Sequence, residues 1–169
     1  MSIEKIFNLF KQRYNYMFRQ NKQMGLYALI SEDEYIPLED AVMINGQLCV
    51  HNDTREKYFR SKHSSKYSLC NQEIYNFKEY SHEVDENENC TSPFKNHTFV
   101  HEVCIIDKAD SRDRVIAKIN LNNGAAVILS SVASAAGLAN LQMLLSSWTT
   151  EFINQQLSNQ FYSDVMMRI

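Results

Sequence analysis

Proline and glycine are scarce, at two and four residues in a chain of 169. That scarcity excludes a collagen-like repeat and a Pro/Gly-rich low-complexity chain. Cysteine is sparse too, and Cys49, Cys70, Cys90 and Cys104 form no CxxC pair. Reduced thiols are therefore expected rather than a disulfide framework. No signal peptide is expected, because MSIEKIFNLFKQRYNY carries charge where such a peptide carries an apolar core. The chain is expected in the cytoplasm, or exported without a cleavable signal. Charge itself is absent between Lys118 and Glu151.

What remains, 44% hydrophobic and 22% charged residues, suits one soluble globular domain able to bury a core. The net charge of −3 argues against bulk binding of nucleic acid. It hides an asymmetry, since Lys5, Lys11, Arg13, Arg19 and Lys22 face only Glu4 near the N-terminus. Contact with an anionic membrane surface and an ordinary solvated face both account for those cations.

Ile3, Ile6, Phe7, Phe10, Tyr14, Met17 and Phe18 recur at helical spacing, with Ser2 as a cap and Gly25 as a stop. LYALIS reads as a strand. The acidic run Glu32, Asp33, Glu34, Glu39 and Asp40 around Pro37 reads as a solvated connection. From Asn52 to Asn96 the chain is polar and weakly periodic, and a flexible loop is expected near 81–93. Leu138, Leu141, Leu145, Trp148 and Phe152 fall on one helical stripe, which predicts a core-packing helix. The run AAVILSSVASAAGLANLQMLL has the length of a membrane span, but Asn140, Gln142 and its serines argue against an integral span. Ala133, Gly137 and Leu138 mimic the turn of a helix-turn-helix, yet no cation stands nearby to meet phosphate. The tail YSDVMMRI reads as a final strand or short extension.

Three groupings could carry chemistry. Cys90, His97, His101 and Cys104 are metal-ligating types, but His97 and His101 lie about 13 Å apart on an extended strand, so no metal or other cofactor is expected. VHEVCIID and RVIAKINLNNG flank the charged loop DKADSRDR and predict an antiparallel hairpin. With Ile106 opposite Val115, its register sets His101 across from Asn120, where the amide would fix the ring; a one-residue slip would separate them. Cys49 follows a glycine-containing turn and precedes a helix-compatible segment with Asn52 or Asp53 in its first turn. A thiol at a helix N-terminus beside an imidazole has a lowered pKa and becomes a nucleophile near neutral pH.

The order Cys49, His101 in HEVCII, then Asn120 in INLNNG with its glycine turn, resembles the papain-like cysteine peptidase superfamily, nearest its compact secreted-effector branch. The resemblance covers roughly 99–169, with Cys49 attached by order. It implies that Cys49 attacks a carbonyl, His101 shuttles the proton, Asn120 orients the ring and backbone N–H groups hold the oxyanion. The pattern departs where Asp-Pro is missing from the turn, where Glu102 replaces a small residue, and where Met43 rather than Gln47 occupies the place of the family's oxyanion glutamine; that role is not carried over.

Two functions follow from the sequence. One is a thiol-dependent hydrolase or acyl transferase of Cys/His/Asn type acting on a protein. The other is a non-catalytic module, such as an inhibitor, immunity or regulatory protein, that binds one protein partner and uses its many tyrosines for contact. The expected fold is α+β: a single domain in which an N-terminal amphipathic helix and a long C-terminal helix pack on a small antiparallel sheet containing the hairpin 99–121.

Overall fold

The computed structural model describes residues 2–32, 34–58, 92–108, 113–129 and 135–167. The architecture is α+β, with helices at both ends and antiparallel strands between them. The expected loop near 81–93 falls almost wholly outside the described residues. The described chain separates into two compact units: one of residues 1–27 and 102–169, the other of residues 28–101.

The first unit opens with helix α1 (Ile3–Phe18), whose start is capped by the Ser2 side chain accepting a hydrogen bond from the Lys5 backbone N–H. Ile6, Phe7, Phe10, Tyr14 and Phe18 recur at three- and four-residue steps and form its buried stripe. The helix ends at Phe18, earlier than the expected stop at Gly25, which lies instead in strand β1 (Met24–Ser31). Strands β6 (Glu102–Asp107), β7 (Arg114–Asn120) and β8 (Ala126–Ile128) follow one another in the sheet, with β1 on the other side of β6 and shared between the units. The expected hairpin is therefore present, formed by β6 and β7.

Helix α3 (Ala135–Met167) closes the chain over 33 residues. It packs on α1 through Phe10 and Trp148, whose ring centroids are 5.8 Å apart, and through the Arg13–Glu151 ion pair at 3.3 Å. Leu141, Leu145, Trp148 and Phe152 are buried as their stripe predicts, Leu144 is buried beside them, and Leu138 is exposed. Within the uncharged run, Ala126–Ile128 pairs with β7 as a strand before α3 begins. One expectation needs correction. The tail is not a strand, because α3 runs on through Met167; Gly137 lies inside the same helix. No helix among the described residues is long and apolar enough to cross a membrane.

The second unit contains β2 (Glu34–Pro37), a short 3-10 turn (Leu38–Asp40), and a three-stranded sheet of β3 (Val42–Ile44), β4 (Gln47–His51) and β5 (His97–Phe99) in that order. Asn45 and Gly46, at φ 49° and 81°, make the two-residue turn joining β3 to β4, which wants left-handed backbone at both positions. Helix α2 (residues 52–58) follows β4 directly. The acidic run is not wholly solvated: Glu34 is buried in β2 and accepts hydrogen bonds from Arg55 Nε and Nη2 at 3.2 and 3.1 Å, tying α2 to β2. A carboxylate can be buried there because the guanidinium supplies both charge and donors.

Candidate functional site

Cys49 stands in the middle of β4, not at a helix N-terminus, because strand pairing continues to His51 and α2 begins only at residue 52. It is opposed by Val42 on one side and Phe99 on the other, and is fully buried. Its thiol donates to the Gln47 carbonyl at 3.4 Å. Burial pushes the thiol pKa up to about 12, the reverse of the lowered value that a nucleophile needs. A thiol shifted that far stays protonated at neutral pH.

His101 follows β5, half-buried, with its ring edge-to-face to Phe99 at 6.4 Å between centroids. Val100 donates its backbone N–H to Leu48 O at 2.8 Å, so the β4–β5 ladder continues one step past the strand proper. In that register Gln47, Cys49 and His51 share one face with His97 and Phe99. Gln47 uses its side-chain amide to donate to Leu48 O and Val100 O at 3.0 and 3.3 Å, holding the strand ends together.

Asn120 does not receive His101. Ile106 does lie opposite Val115, as expected, but an irregularity between Ile105 and Ile106 shifts the ladder so that Ile105 meets Ala117. One extra residue, Ile116, is accommodated on β7, and from there inward every partner moves by one. Glu102 is consequently the residue opposite Asn120. The Asn120 amide oxygen accepts from the backbone N–H groups of Asn122 and Asn123 at 2.8 and 3.0 Å, shaping the turn into β8.

A different cluster stands on the Cys49 face, and sequence reasoning missed it. His51 and His97 are directly opposed across β4 and β5, with ring centroids 4.9 Å apart and planes at 84°. Phe94 and Phe99 stack edge-to-face beside them at 5.0 Å. The Asn-Gly turn announces β3 and β4, but nothing local announces that residues 97–99, more than forty positions later, complete that sheet. Cys90 of the metal set considered from the sequence lies outside the described residues, His97 and His101 belong to the second unit and Cys104 to the first, where Cys104 is buried with its thiol pKa also pushed up to about 12, chiefly by burial. Among the described residues no three His, Cys, Asp or Glu side chains come together as a metal-binding group.

In the first unit, an open groove of about 520 Å³ runs between β8 and α3, lined among others by Val127, Ile128, Leu145 and Thr149. None of its lining side chains ionises in the physiological range, so it offers contact surface without an acid or base.

The site and the α+β scaffold thus define a class no narrower than a mixed helix–sheet protein with a buried strand cysteine and an imidazole pair. Comparison with protein-family models, characterised proteins and solved structures returns no match to the chain.

Proposed function

We propose that the chain is a non-catalytic interaction module that binds one protein partner through the exposed side of α3. The observation that carries this reading is where burial in α3 stops. Its buried residues run from Leu141 to Phe152, and from Ile153 to Gln160, more than two further turns, none is buried. Just beyond Phe152, Ile153 and Leu157 stand one turn apart and are 51% and 62% exposed, in a stretch, residues 152–160, that holds no charged side chain. Met143, 59% exposed, lies on the same stripe by its three- and four-residue steps through Ser146 and Thr150, and those two residues also line the groove beside β8. Apolar side chains repeated along one uncharged helix face are what helix-to-groove recognition uses. The partner therefore presents an apolar surface with a neutral polar rim.

The thiol hydrolase or acyl transferase reading asks for a thiolate at Cys49, and the burial of that residue supports it less. One experiment separates the two. A photo-crosslinking residue is placed at Leu157 in the native cell, and iodoacetamide labelling of each cysteine is followed across about pH 5 to 9. The module predicts one crosslinked heterologous protein, lost in Ile153→Asp and kept in Cys49→Ala, with Cys49 alkylating slowly, as the equally buried Cys104 does. Rapid labelling of Cys49 near pH 6 that slows in His101→Ala returns the chain to the enzyme reading. A crosslink only to a second copy, or none, overturns the module.

A further inference from the structure

The imidazole pair belongs to the second unit and is absorbed by neither function. His51 closes β4 and His97 opens β5, so the two rings leave the same end of the sheet on the same face. Both Nδ1 atoms are occupied by the backbone at that end. Asp53 donates its backbone N–H to His51 Nδ1 at 3.1 Å, and His97 Nδ1 lies 2.8 Å from Lys95 O. A carbonyl only accepts, so His97 carries its proton on Nδ1 and keeps a bare lone pair at Nε2. Among the described residues, neither Nε2 has a hydrogen-bond partner.

We propose that His51 and His97 form a two-imidazole site for a divalent transition-metal ion of the zinc type, completed by water. Two imidazoles bound through Nε2 to one tetrahedral ion at 2.0–2.1 Å place their ring centroids about 5 Å apart. The observed 4.9 Å between centroids, with the planes at 84°, is compatible with that spacing. The Lys95 carbonyl behind His97 is the outer partner that ligating histidines ordinarily have, fixing tautomer and ring orientation. His51 needs one proton move. With Nδ1 accepting from Asp53 its proton sits on Nε2, and binding moves it to Nδ1, where the Asp53 carboxylate, with Oδ2 3.7 Å away, favours it electrostatically and the Asp53 backbone N–H gives up that nitrogen as its acceptor. No net proton is released from the neutral pair. His51 is partly exposed, which leaves an entry path for a hydrated ion. Ligation by neutral nitrogens selects zinc over magnesium or calcium, which prefer oxygen.

The test is titration of the full, reduced chain with Zn²⁺ alone, followed by calorimetry and by long-range ¹H–¹⁵N spectra of the histidine rings. One ion is expected per chain, moving the Nε2 resonances of His51 and His97 and shifting the His51 proton to Nδ1, with Mg²⁺ without effect. His51→Ala and His97→Ala should each weaken binding by at least tenfold, and the double variant little further, because a chelate lost once is lost. Asp53 is a positioning residue: Asp53→Ala should cost about tenfold in affinity and abolish the tautomer shift, with Asp53→Asn restoring part. The spectra of the unaltered chain keep the test valid where a variant fails to fold. Unmoved His51 and His97 resonances overturn the proposal, as does Zn²⁺ affinity that survives His51→Ala and disappears on replacing His63, His82 or a cysteine.

Discussion

Single atoms decide how well this core tolerates change. Gly124 sits at φ 76° at the end of the β7–β8 turn, its carbonyl accepts from Trp148 Nε1 at 3.1 Å, and a Cβ added there would run into the Phe152 ring. Gly124→Ala therefore combines a left-handed backbone with overpacking, and denaturant midpoints should report a loss of about 2–4 kcal/mol. Tyr14 gives the opposite expectation. Its ring is buried, but its hydroxyl has no hydrogen-bond partner among the described residues. Tyr14→Phe removes an unsatisfied polar atom without removing ring packing, so stability should stay level or rise by up to about 1 kcal/mol. A clear loss on that change would reveal a partner for the hydroxyl.

Elements show how local chemistry sets geometry that spacing alone does not. Asn120 ends β7 and uses its amide oxygen to cap the turn that returns the chain as β8. Asn120→Ala should cost about 1–2 kcal/mol and speed amide exchange at residues 122 and 123, while Asn120→Asp, which keeps the acceptor, should recover most of it. Equal damage from both variants would mean the amide nitrogen matters instead. Both helices that bury an aromatic stripe were legible, since Phe7, Phe10, Trp148 and Phe152 declare their faces at three- and four-residue steps. The hairpin of β6 and β7 was legible as well, down to Ile106 opposite Val115. Its inner register was not, because the extra residue at Ile116 is paid for by packing on both faces and leaves no mark in an apolar run. The same ambiguity hid β8, three residues whose alanine, valine and isoleucine suit strand and buried helix equally. The candidate site failed for a related reason. Cys49 has the right neighbours in sequence for a helix N-terminus, but strand pairing with both Val42 and Phe99 carries β4 past it.

At the scale of the whole molecule, three acids bind the protonation state of the chain to its folding. Cys49 and Cys104 are pushed up to about 12 by burial, and Tyr14 to about 12 by burial with added repulsion from Tyr27 and Asp107. Unfolded, these groups ionise between about 8.5 and 10. Below that range both states keep the protons, and the three groups leave stability unchanged. Above it the unfolded chain has released protons that the folded chain still holds, so stability falls as pH rises, until the folded groups themselves titrate near about 12. Lys108 acts with the same sign: its ammonium lies over the Tyr27 ring at 5.0 Å, its interaction with Tyr27 raises its pKa, and the stability this confers is lost as pH climbs past its ordinary value. Tyr14 and Cys104 belong to the first unit and Cys49 to the second, so the loss should register in both. Urea midpoints should be flat between about pH 7 and 8 and decline from about 9 upward. The pair Cys49→Ala and Cys104→Ala, compared with the unaltered chain under reducing conditions, should flatten the first part of that decline. A midpoint that holds steady to about pH 11 would mean that the thiols and Tyr14 ionise in the folded chain much as they do unfolded, and that Cys49 is open enough to water for the nucleophilic role to be reconsidered.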